Sequence, residues 1–307
     1  MKNATRVGVA RVESKKRQTS AQRALRLTKK LAACVVTGTL LGLSPPALAE
    51  VETVHTYGSS LGQEVDNLIA VSASKLSPML PAGYNIVPAS VLGLGGSDQG
   101  LVVIANVRGF DPTVDGKKPG KQNLVAIDVA ILVFEPAEAS EARVNIPGAF
   151  HLYALAIYTD DARYAASLLR ARMPVRFVNN IDYERSMNDA TGIGDLIVSV
   201  PSKSNPLKTV NSGQGYATVP GASFNAVFWH DDRRGKAILQ FRNEPFRQGG
   251  GLGRVYTRPG SEWQELFDGG GLGPCPPDPE TGYSCIVTPL LNLRYDRGWR
   301  GKLLVVR

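Results

Sequence analysis

The run Leu124-Val-Ala-Ile-Asp-Val-Ala-Ile-Leu-Val133 constrains this 307-residue chain more than any other stretch. Its β-branched side chains suit a pleated sheet better than a helix. With a period of two, Val125, Ile127, Val129, Ile131 and Val133 form one bulky face. Ala126, Asp128 and Ala130 share the other. The bulky face suits a packed core, whereas small side chains around a carboxylate suit the wall of a cavity. Around this strand the sequence predicts others at residues 101–107, 150–158, 175–183, 195–200, 223–230, 236–242 and 303–306. Asp231-Asp-Arg-Arg-Gly235 reads as a hairpin turn. Two helices are expected. One covers residues 61–76, from the spacing of Leu61, Val65, Leu68, Ile69 and Leu76. The other covers 162–172, opened by Thr159-Asp160-Asp161 and stopped by Pro174. The pattern is mainly β (α+β): an antiparallel β-barrel or cone with a few short packed helices. No alternation of strand and helix is visible, which argues against a nucleotide-binding parallel sheet. Residues 109–122 and 201–215 read as polar loops. No linker divides residues 50–307, so they are expected to form one domain.

The first 49 residues read as an export signal. Arg23, Arg26, Lys29 and Lys30 precede an uncharged stretch at 31–43, Pro45 and Pro46 break it, and Ala47-Leu48-Ala49 offers a cleavage site before Glu50. The uncharged stretch falls short of the ~20 residues of a spanning helix, and no later run is long enough, so the mature chain is expected to carry no integral membrane segment. An uncleaved anchor and lipidation at Cys34 are the alternatives. The leader also distorts the charge. The whole chain has formal charge +8, but ten of its 35 Lys/Arg and one of its 27 Asp/Glu lie in residues 1–49. The remainder holds 25 bases against 26 acids, with no clustered basic surface for phosphate tracking, so nucleic acid is not an expected partner. Export to the periplasm or the medium makes a disulfide the simplest fate of Cys275 and Cys285. Metal binding there would need more ligands than three scattered His residues supply.

Candidate chemistry starts with Asp128, whose carboxyl would have a perturbed pKa or a partner if its face walls a cavity. A structural ion pair is the alternative. Arg176 follows Pro174 in an alternating segment and suits a carboxylate clamp, or a structural pair with Asp128. His151 and Tyr153 share a strand face and complete the candidate ligand-binding set. His55 and His230 have no comparable context. Gly-x-Ser-x-Gly is missing, so a hydrolase triad has no anchor. The repeat Gly249-Gly-Gly-Leu-Gly253 and Gly269-Gly-Gly-Leu-Gly273 lacks the Lys and Ser/Thr of a phosphate-binding loop and reads as two flexible loops. No cofactor and no metal are expected.

The segment His151-Leu-Tyr-Ala-Leu-Ala-Ile-Tyr-Thr-Asp-Asp-Ala-Arg-Tyr-Ala-Ala-Ser-Leu-Leu-Arg-Ala-Arg-Met-Pro-Val-Arg-Phe177 resembles the acetoacetate decarboxylase superfamily. That family has a strand ending in Tyr, then Asp-Asp/Ser-x-Ala opening a helix, then Gly-Arg-x-x-x-Gly-x-Pro-Lys-Lys. The resemblance implies a cone-shaped antiparallel barrel with a central cavity, often in a homo-oligomer, and places Asp128 on a strand like the one bearing the family's active-site Glu. The chemistry departs from the family. Its two lysines, the nucleophile and the neighbour that lowers the nucleophile's pKa, are here Val175 and Arg176. Valine cannot form a Schiff base and arginine stays protonated. The first functional reading is therefore an exported protein whose cavity binds a small apolar or weakly acidic molecule. The second is a lyase-like enzyme acting on a keto acid or other carbonyl without the usual lysine. The third is a non-catalytic structural protein of the cell envelope.

Overall fold

The computed structural model describes residues 50–118, 120–139, 144, 146–218, 221, 223–243 and 246–306. The expected leader, its cleavage site and Cys34 lie outside them. In chain order the elements are β1 (Val51–Gly58), β2 (Leu61–Ser72), α1 (Ala73–Leu76), α2 (Ala89–Leu92), β3 (Gln99–Phe110), β4 (Thr113–Val114) and β5 (Asn123–Val133). Then follow β6 (Phe150–Thr159), α3 (Ala162–Arg170), β7 (Val175–Phe177), β8 (Asp182–Arg185), β9 (Ile193–Val200) and β10 (Leu207–Tyr216). The last are β11 (Ala226–Asp232), β12 (Gly235–Arg242), β13 (Phe246–Thr257), α4 (Glu262–Phe267), β14 (Gly273–Cys275), β15 (Ser284–Tyr295) and β16 (Arg300–Val306). All the strands join one sheet in the order β4-β1-β16-β12-β11-β6-β5-β3-β2-β15-β13-β10-β9-β8, with β14 beside β15 and β7 beside β6. The fold is thus mainly β, cone- or barrel-like, and its sheet does not close.

The two faces of β5 go to two different cores. Ile127, Val129 and Ile131 join Tyr158, Trp229 and Trp263 on one side. Ala126 and Ala130 join Ile157, Leu293, Tyr295 and Trp299 on the other. The sheet curls around the first core. Thr209 on β10 donates to Asn106 on β3 across 3.1 Å, although β2, β15 and β13 lie between them in the sheet. Asn67 donates to both Asn211 and Thr288 at 2.9 Å. This buried amide and hydroxyl network satisfies its own members, as a polar interior must.

Residues 61–72 are a strand, not the first turns of a helix. Val65, Asn67, Ile69 and Val71 face one core, and Glu64, Asp66 and Ala70 face the other. Both faces are buried, so apolar residues need not alternate, and Leu61, Val65, Leu68 and Ile69 imitate helical spacing by accident. Residues 207–216, expected as loop, form β10. Gly249–Gly253 lies inside β13, not in a loop: a β-carbon on Gly249 or Gly251 would strike the backbone oxygen of Gly215 or Ser212 on β10. Glycine is what lets those strands approach. The segment 175–183 is broken into β7 and β8. β7 also runs parallel to β6, so β6-α3-β7 is one strand–helix–strand crossover in a sheet read as wholly antiparallel.

The expected disulfide is formed. Cys275 on β14 lies opposite Cys285 on β15, with Cα atoms 5.0 Å apart. Replacing both with Ser is expected to lower unfolding stability by about 2–3 kcal/mol, the chain-entropy value for so short a loop. An unchanged urea midpoint would show that the β14–β15 ladder suffices alone. Among the described residues no helix is long and apolar enough to cross a membrane.

Candidate functional site

Strand register brings three carboxyls onto one face. Asp66 on β2 pairs with Ala105 on β3, which pairs with Asp128 on β5. Glu64, Val107 and Ala126 form the neighbouring row. Small Ala105, Ala126 and Ala130 leave room over the strands. There the face borders a cavity of about 30 Å³, walled by Phe224, Phe228, Phe241 and Trp299, with Glu64, Asp128, Tyr164 and Asn243 also in its lining. That is room for one or two waters.

The electrostatics follow from burial. Desolvation pushes the Asp128 carboxyl up to about 8, with the nearby charge of Glu64 adding to the rise. Asp66 is pushed well up by burial, then by Glu64 and Asp128. Burial also raises Glu64, opposed by hydrogen bonds from Tyr295 and Asp66. Tyr295 donates to Glu64 at 2.6 Å. Three carboxyls this close cannot all ionise. The charge settles on Glu64, which accepts from Tyr295 and from protonated Asp66, and Asp128 keeps its proton at neutral pH. Three atoms of cavity-lining residues have no hydrogen-bond partner among the described residues: Asp128 Oδ1, Asn243 Oδ1 and Trp299 Nε1. A protonated carboxyl, an indole N–H and an amide oxygen therefore border one aromatic-walled space. Together they can hold a carbonyl or hydroxyl oxygen.

The structure does not bring the four expected ligand residues together. Asp128 faces the cavity, but Arg176, His151 and Tyr153 belong to the opposite side of the sheet. Arg176 pairs with Tyr158, whose ring lies in the other core. Its guanidinium donates to Tyr158 Oη and Glu262, both at 3.1 Å, and lies over the Trp263 ring at 5.3 Å. Arg176 and Asp128 therefore form neither an ion pair nor a joint pocket, because neighbouring residues on a strand point to opposite faces. His151 accepts at Nδ1 from Trp229 Nε1 at 3.1 Å, and burial lowers its pKa to about 4, so the ring is neutral. The Tyr153 ring packs edge-on against Tyr84 at 5.0 Å. These are satisfied core contacts.

In fold, the chain is similar to acetoacetate decarboxylase. A solved structure of that enzyme aligns with 11% identity and a TM-score of 0.45, over 79% of this chain and 87% of the other. The enduracididine biosynthesis enzyme MppR aligns with 13% identity and a TM-score of 0.46, over 85% and 88%. Acetoacetate decarboxylase from Legionella pneumophila aligns with 10% identity and a TM-score of 0.42, over 88% and 92%. No family model and no curated protein matches the chain.

Sequence reading missed Glu64, Asp66, Asn243 and Trp299. The first two were hidden by the helical reading of residues 61–76. A period-two reading of Glu64, Asp66, Leu68 and Ala70 against Val65, Asn67, Ile69 and Val71 would have set two more carboxyls beside Asp128. Nothing local marks Asn243 or Trp299. Among the described residues no cluster of His, Cys, Asp and Glu is placed to hold a metal ion.

Proposed function

We propose that this is an exported small-molecule-binding protein whose Asp128 cavity takes a small, largely apolar molecule through one carbonyl or hydroxyl oxygen. The observation that carries this reading is the convergence of unpartnered Asp128, Asn243 and Trp299 polar atoms on one aromatic-walled cavity. Leaving such groups unpaired costs roughly 1–3 kcal/mol each, and a ligand oxygen that accepts from the carboxyl and the indole recovers part of it. A ligand displaces water there, and anything beyond two or three heavy atoms requires Phe224, Phe228 or Phe241 to turn aside. Export is supported by the leader pattern in residues 1–49 and by the disulfide, which persists in oxidising compartments.

The test is native mass spectrometry of mature protein purified gently from its own host. The expected result is a reproducible added mass, released on denaturation and absent from a folded Trp299→Phe variant. An added mass that survives Trp299→Phe unchanged would overturn the assignment to this cavity.

The lyase-like reading rests on a different observation: a proton held near pH 8 beside a carboxylate can be moved to and from carbon next to a carbonyl. It predicts deuterium exchange at the α-carbon of small keto acids by NMR, lost in Asp128→Asn. Absence of exchange with the wild type leaves binding alone.

A further inference from the structure

A second cleft is built from the other end of α3 and shares no residue with the Asp128 cavity. It has a volume of about 260 Å³ and an apolar floor that includes Val54, Ala171 and Ala237. Arg170, Arg172 and Arg234 stand around it, with His55, His230 and one carboxylate, Asp232. Lys236 also borders the cleft, but its ammonium is engaged by Asp231 and Glu138 and lies over the Tyr84 ring. Arg172 pairs with Asp232 at 3.2 Å. Arg170 and Arg234 form no ion pair among the described residues. With Lys236 and its two carboxylates included, four cationic side chains stand against Asp232, Asp231 and Glu138, an excess of one positive charge.

The end of α3 sets where Arg172 stands. Ala171 caps α3, and Arg172 follows with φ +65°. This is the left-handed position after a helix that glycine ordinarily fills. The helix-end hydrogen bonds from the Arg172 N–H to the Leu169 carbonyl and from the Met173 N–H to the Leu168 carbonyl, both 3.0 Å, fix this turn and carry Arg172 to the edge of the cleft.

We propose that this cleft binds the phosphate group of a small molecule. A phosphate near neutral pH carries about two negative charges, opposite in sign to the excess. Guanidiniums engage its oxygens in bidentate pairs, and the volume accommodates a phosphate with a small organic substituent.

The test is calorimetric titration of the mature protein with inorganic phosphate, against chloride at matched ionic strength. Arg172→Gly removes the charge while relieving the backbone, so loss of fold does not confuse it. Arg234→Gln removes a second charge. Arg242→Gln takes the same charge from a different cleft and serves as control. Saturable one-to-one binding is expected, weakened tenfold or more in Arg172→Gly and Arg234→Gln and retained in Arg242→Gln. Phosphate that behaves like chloride, or equal binding by Arg172→Gly and wild type, overturns the proposal. Glycerol 1-phosphate then separates two sources of the same group: tighter binding than inorganic phosphate supports a phosphate ester, and equal binding supports the free ion.

Discussion

Asp128→Asn is expected to stabilise the protein at pH 8.5 by several kcal/mol and to leave it nearly unchanged at pH 4.5. The buried carboxyl titrates at about 8 in the folded chain, against ~3.9 when unfolded. Between those values the unfolded state has released the proton and the folded state still holds it. Stability therefore falls as pH rises from about 4 to about 8 and levels off above. For Asp128 alone the span corresponds to about 5 kcal/mol. The raised pKa values of Asp66 and Glu64 act in the same direction. Asparagine keeps the shape and an acceptor oxygen but does not ionise, so its stability curve should be flatter. Urea unfolding of both proteins at the two pH values measures this. Parallel curves would mean that Asp128 is ionised in the folded state and that a partner compensates its charge.

The second large effect separates the two copies of Gly-Gly-Gly-Leu-Gly. Gly249→Ala should destabilise by about 3 kcal/mol or more, at the upper end of overpacking costs, because its β-carbon meets the β10 backbone at Gly215 rather than a movable side chain. Gly269→Ala, at the matching position of the other copy, has nothing within 4 Å of its β-carbon and a φ of +72°. It should cost only the left-handed penalty, roughly 1–2 kcal/mol. Thermal melts of the two variants compare them directly. Equal losses would show that β13 and β10 can separate without consequence.

Those copies illustrate where the sequence was legible. Identical residues do opposite jobs, one inside a strand and one in a turn, and only long-range packing decides which. Local patterns with their own signals were readable. The alternation of 124–133 gave β5 and the two faces of Asp128. Asp161 and Pro174 bracketed α3, and the Asp161 carboxylate indeed accepts from the Tyr164 N–H at 2.7 Å. β2 was misread because a strand buried on both faces loses the apolar–polar alternation that marks strands, and its polar Gln63, Glu64, Asp66 and Asn67 look like a solvated helix surface. The placement of Arg176 apart from Asp128 was hidden for a related reason. The arginine's chemistry suits an anion, but the sequence does not reveal that Glu262, 86 residues further on, occupies it.

The open sheet described above has a consequence for assembly. An unclosed sheet exposes two lines of unpaired backbone groups, which invite strand addition. The two borders differ here. β4 is two residues long, and β8 reads Asp-Tyr-Glu-Arg, three charges in four residues. A second copy at the β8 border would have to desolvate those charges, whereas Val51–His55 of β1 have no strand on that side among the described residues. Strand addition between copies is therefore disfavoured at β8, and the uncovered stretch of β1 is the border that offers backbone groups to another strand.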